Sequence, residues 1–255
     1  MPTGRTKTLS ALCQAPWSCS TALASQGRTR SVTTESHTLG ATLLRELARR
    51  PDTDLAAALA DSIEHVSGQH GDTCDIANPS SPQSTVAIVR VGDGRVEFLV
   101  LADVFVVLDL SMSEPQVVTD SREVDVRQVC TSVLRGLSPG TSEYEREKLS
   151  VINALRARRN HPGGYWIAKD DARAAMEAVT GSVPLEQVNR VALLSNGASR
   201  VVDPYGLVGW RTVLDLLHTQ GPDEIIRRVR GAETESRTAD PPLPDDATVA
   251  YCEIR

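Results

Sequence analysis

The sequence has no acidic residue before Glu35, no pair of cysteines at CxxC spacing, and no apolar run approaching the ~18 residues that signal a membrane span. Each absence excludes something. Without a long apolar run, no helix is expected to cross a bilayer. The five cysteines, Cys13, Cys19, Cys74, Cys130 and Cys252, are odd in number and scattered. They signal neither a zinc site nor a disulfide framework, and reduced thiols in a cytoplasmic protein are the plain expectation. A basic footprint is also lacking. Lys and Arg number 27 against 33 Asp and Glu, for a formal net charge of −6. That balance argues against sequence-independent binding of nucleic acid. Neither a nucleic-acid nor a membrane partner is expected.

What remains is ordinary globular material: 255 residues, 40% hydrophobic and 24% charged, long enough for one sizeable core. The segment 1–38 stands apart. It is rich in Ser and Thr, and up to residue 34 its only charges are Arg5, Lys7, Arg28 and Arg30. Disorder, or a stretch read from a wrong start or frame, both fit this composition. The domain proper is expected over 39–255.

From Leu39 the pattern becomes periodic. Leu39, Leu43, Leu44 and Leu47 recur at helical spacing up to Arg50-Pro51, and Leu55, Leu59, Ile63 and Val66 form a second stripe. A polar, Pro-containing loop follows over 72–82. Four strands are then predicted, at 84–91, 96–101, 104–110 and 116–119. Asp93-Gly94 is the hairpin turn between the first two. Runs such as Val104 to Leu108 are too continuous for a half-exposed strand and read as buried sheet. Helices are predicted at 125–137, 142–159, 170–179, 208–218 and 223–229. Further strands are predicted at 165–168, 190–194 and 248–254, and a loop at 231–244. Hairpin-linked strands between blocks of helices make an α+β layered fold rather than an alternating βαβ one.

Three positions share one feature: each lies at the end of a buried strand. Asp103 sits between two apolar runs, Asn196 follows Val191 to Leu194, and Asp245 with Asp246 precedes the last strand. Oxygen donors converging on one sheet edge suit hard divalent cations, and two such ions can activate water against a phosphoryl group. Asp and Asn at strand ends also serve simply as turn residues.

The order of short motifs resembles that of the metal-dependent protein phosphatases of type 2C. These have a Thr-containing strand leading through a hairpin to G-D-S, later a strand ending S-D-G, and a final D-N-x-T strand. The counterparts here are Ser84-Thr85-Val86-Ala87, Leu101-Ala102-Asp103-Val104, Leu194-Ser195-Asn196-Gly197 and Asp245-Asp246-Ala247-Thr248-Val249. The turn from Asn160 to Trp166 also fits the family, as do two helices before the hairpin.

The resemblance implies a β-sandwich flanked by helix pairs, with its first strands missing or altered. It implies one or two Mn or Mg ions and hydrolysis of a phosphorylated protein or small phosphomonoester by metal-activated water, as in a bacterial-type relative. On these positions Asp245 and Asp103 would be metal ligands, Asn196 a weakened ligand position, and Asp246 a supporting residue behind them. The departures point elsewhere. Asn196 brings a neutral amide where the family has a carboxylate, Ala102 and Val104 replace Gly and Ser, and no early Asp-Gly motif is present in 1–38. A non-catalytic binding or regulatory domain is therefore the alternative expectation.

Overall fold

The computed structural model describes residues 7–14, 32–71, 74–76, 78, 81–235 and 245–254, with backbone alone for 7–14 and 32–37. Most of segment 1–38, for which disorder or a shifted frame is expected, lies outside the described residues. Within it, the backbone of β1 (Lys7–Gln14) pairs antiparallel with a strand further on, Lys7 opposite Val91 and Gln14 opposite Ser84.

Two helices follow, α1 (Val32–Arg49) and α2 (Leu55–His70), the second capped by the Asp54 carboxylate accepting from Ala57 N at 2.9 Å. Next come β2 (Ser84–Gly92), β3 (Arg95–Leu101), β4 (Phe105–Leu110) and β5 (Gln116–Val118). The hairpin α3 (Arg122–Thr131) and α4 (Ser142–Ala157) follows. Then come β6 (Val179–Pro184), β7 (Val188–Leu194), the single turn α5 (Asn196–Ser199), α6 (Trp210–Gln220), α7 (Pro222–Glu235) and β8 (Val249–Glu253).

The strands form two antiparallel four-stranded sheets, ordered β1-β2-β3-β6 and β5-β4-β7-β8. The continuous apolar runs are explained by three cores stacked through these sheets. Val89, Val96, Phe98 and Val100 of one sheet meet Val106, Leu108, Val191 and Leu193 of the other. Their alternate neighbours Val86, Ile88, Leu99 and Leu101 face outward onto Leu43, Leu47, Leu59 and Ile63 of α1 and α2. On the far side Val107, Ala192 and Leu194 pack on Val213, Leu214, Leu217, Ile225 and Val229 of α6 and α7. Side chains alternate across each strand, so a strand buried on both faces needs apolar residues at every position. The result is the layered α+β sandwich flanked by helix pairs.

The local differences have physical reasons. Residues 170–179, predicted as a helix, make a short 3₁₀ turn at Ala172–Glu177 and then enter β6, a strand absent from the sequence reading. Gly181 and Pro184 disguise β6. Among the described residues it pairs along its length only with β3, and Gly181 lies under the Phe98 ring, where a Cβ would approach to 2.5 Å. Residues 165–168 make isolated bridges, Arg159 with Tyr165 and Ser84 with Ala168, rather than a strand. Helix α1 begins at Val32 rather than near Leu39, α3 starts at Arg122 and stops at Thr131, and α7 runs on to Glu235.

Candidate functional site

Asp103 sits in the tight link from β3 to β4. Ala102 before it has φ +68°, and Val104 N donates to Ala102 O at 2.9 Å. A non-glycine residue in this left-handed region is strained by roughly 1 kcal/mol. The link turns the Asp103 carboxylate toward the end of β7. There Ser195 caps the short α5, its hydroxyl accepting from Ala198 N at 3.3 Å and from Thr248 N at 2.9 Å while donating to Asp246 O at 2.9 Å. The buried Ser195 therefore pins the segment before β8 against the end of β7. Gly197 permits this approach, because a Cβ there would stand 2.2 Å from Asp246 O.

Asn196 and Asp103 consequently meet: Asn196 Nδ2 donates to Asp103 Oδ2 at 2.8 Å. Asp245 lies close enough for its charge to act on Asp103. Its own oxygens are both engaged. Oδ2 pairs with Arg200 Nη2 at 3.0 Å and Oδ1 accepts from Asp246 N at 2.9 Å. Arg200 in turn lies 3.7 Å from Glu233, which accepts from Arg230 at 2.6 Å. Asp246 contributes backbone, its carbonyl to Ser195 and its N–H to Asp245.

Besides Arg200, two residues missing from the sequence reading complete the site. Glu123, buried on the first turn of α3, pairs with Arg127 one turn on. Both act electrostatically on Asp103. Burial first, then the Glu123 charge, push the Asp103 carboxyl up to about 7; Arg127 opposes them and Asp245 adds a smaller push. Near neutrality Asp103 therefore exchanges a proton. Arg200 escapes sequence reading because its partner Asp245 lies 45 residues on, and Arg127 because its action on Asp103 depends on where α3 lies. Glu123 escapes because the helix starts three residues before Asp125.

The donor set fits poorly around a divalent cation. Asp103 Oδ2 is bonded directly to an amide N–H₂, which has no lone pair for a metal, and Asp245 is occupied by a guanidinium. Among the described residues no group of three or more Asp, Glu, His or Cys is placed to hold a metal ion. The positive counter-charges here are supplied by the protein itself.

Comparison with solved structures decides the architecture. A sex-determining protein of C. elegans superposes with TM-score 0.55 at 14% identity over 98% of this chain, which spans 57% of that one. The serine/threonine phosphatase PstP/Ppp of Mycobacterium tuberculosis gives 0.53 at 15% identity, over 97% of this chain and 98% of that one. The chain has a type 2C phosphatase-like fold. The catalytic domain of PstP in complex with two manganese ions matches equally, with TM-score 0.53 at 16% identity over 97% of both chains. Neither protein-family models nor curated proteins give a match to the sequence. No helix among the described residues is long and apolar enough to cross a membrane.

Proposed function

We propose that this chain is a non-catalytic relative of the type 2C phosphatases, a binding or regulatory domain rather than a metal-dependent hydrolase. The observation that carries this is the hydrogen bond from Asn196 to Asp103 at 2.8 Å. An amide donor stands where metal chemistry needs a second anionic oxygen. The ion pair of Arg200 with Asp245 supports the same conclusion. One carboxylate is paired with a guanidinium and the other accepts from an amide, so each would have to give up a protein partner to turn those oxygens to Mn or Mg.

Metal ions would supply an activated water in an active relative. The ligand class suggested by the fold is a phosphorylated protein or a small phosphomonoester, with Arg127 and Arg200 as the cations at the site edge. Turnover of p-nitrophenyl phosphate with Mn tests the proposal on the whole chain. No turnover above that of buffered Mn is expected. Mn-dependent turnover that disappears in Asp245→Ala would reject it in favour of a weak hydrolase.

A further inference from the structure

The hairpin of α3 and α4 stands outside all three cores, which contain no residue from 122 to 157. It nevertheless carries Val124, Val129, Val133 and Leu149, exposed by 42, 66, 53 and 63%. That is half of the large hydrophobic residues exposed among the described positions. Apolar surface concentrated on one substructure marks an interaction site more often than scattered residues do.

Leu149 lies on the outer face of α4, and that helix shows what would cover it. Val151 is buried, and Arg158, on the same face just past the helix end, donates to Cys130 of α3 at 3.2 Å. At about 100° per residue, the opposite face carries Glu145, Leu149, Ile152 and Arg156. Leu149 and Glu145 are exposed there, and Ile152 and Arg156 are partly so. Their spacings are four, three and four, the narrow seam of a coiled coil. The seam is also palindromic in chemistry: acid, apolar, apolar, base. Laid antiparallel on itself about a two-fold axis between residues 150 and 151, it sets Leu149 against Ile152 and Glu145 against Arg156, twice over. A parallel arrangement would set Glu145 against Glu145. Isologous pairing through one self-complementary patch is the commonest geometry of protein dimers.

We propose that the outer face of α4 is a self-association surface, on which a second copy of this chain docks antiparallel through Leu149, Ile152 and the crossed pair Glu145–Arg156.

Sedimentation equilibrium tests this on the full chain, because its readout is mass and not activity. The weight-average mass should climb from 27.5 kDa toward twice that as concentration is raised from micromolar to near-millimolar. Leu149→Glu should remove the association, while circular dichroism stays unchanged because the side chain is exposed in the monomer. Glu145→Arg and Arg156→Glu should each weaken it at least about tenfold, since each creates two like-charge contacts per dimer. Together they should restore it, because the crossed pairs are re-formed with signs exchanged. A mass fixed at the monomer value, a dimer indifferent to Leu149→Glu, or a double variant as weak as the single ones would overturn the proposal.

Discussion

Asn196 and Asp103 lie 93 residues apart and join through one hydrogen bond of 2.8 Å, amide N–H to carboxylate oxygen. The bond links the end of β7 to the turn between β3 and β4, so it ties the two sheets together at the candidate site. It also fixes the chemistry of that edge, because an amide that donates to a carboxylate keeps a like charge from standing beside it.

Replacing Asn196 by Asp should expose that role. Two carboxylates would then face each other, with Glu123 and Asp245 close by. In chelator at pH 8, Asn196→Asp is expected to lose about 1–3 kcal/mol of stability. At pH 5 the loss should be smaller, because one proton can be shared between the pair. Urea unfolding at the two pH values measures both.

The raised pKa of Asp103 gives wild type a pH dependence of definite sign. Its carboxyl holds a proton up to about 7 in the folded chain and releases it near 3.8 when unfolded. Between these values the folded state binds more protons, so stability falls as pH rises from about 4 to about 7. Glu123, Arg127, Asp245 and the Asn196 amide all face this group. Asp103 remains partly exposed, which limits the loss to the order of 1–3 kcal/mol. Asp103→Asn should flatten this part of the stability curve, as chemical denaturation from pH 4 to pH 8 would reveal. An unchanged slope would contradict the assignment.

Gly197 tests the backbone contact. A methyl group placed 2.2 Å from Asp246 O cannot be accommodated without moving the segment before β8. Gly197→Ala is expected to cost about 2–4 kcal/mol, in the range of overpacked or backbone-strained substitutions. At Gly231, where nothing lies within 4 Å, the same change should be tolerated. A thermal shift comparison of the two variants distinguishes a steric cause from a general intolerance of Gly→Ala.

Arg200 holds Asp245 at 3.0 Å and stands 3.7 Å from Glu233, whose side chain is 6% exposed. Arg200→Ala removes the cation from Asp245 and leaves Glu233 with Arg230 alone. About 2–4 kcal/mol of stability should be lost, and Arg200→Lys should recover only part of it, because a single ammonium cannot reproduce the spread of a guanidinium. Melting temperatures of the three proteins check the order wild type, Lys, Ala.

Much of the fold is legible in the sequence because its signals are local. The hairpin at Asp93-Gly94 and the helical stripes of Leu39 to Val66 are patterns of neighbouring residues; α2, β2 and β3 appear where those patterns place them, and α1 contains its stripe but starts earlier, at Val32. The unbroken apolar runs at 104–110 and 190–194 already imply burial on both faces, and the three stacked cores supply the reason. Strand β6 is hidden because Gly181 is selected by the Phe98 ring, a contact between residues 83 positions apart.

The site is only half legible for the same reason. Asp103, Asn196 and Asp245 are readable as polar residues at strand ends, and the first two are in direct contact. The cations are not readable. Arg200 finds Asp245 across 45 residues, and Arg127 reaches Asp103 only because the first turns of α3 lie against the β3–β4 link. The action of these cations on Asp245 and Asp103 thus depends on tertiary placement.

Calorimetric titration of Mn into the wild-type chain at pH 7.5 tests the central claim most directly. A site whose carboxylates are already engaged by Asn196 and Arg200 should give no saturable heat and no change in melting temperature up to millimolar metal. Saturable binding of one or two ions in the micromolar range, abolished by Asp245→Ala, would contradict it.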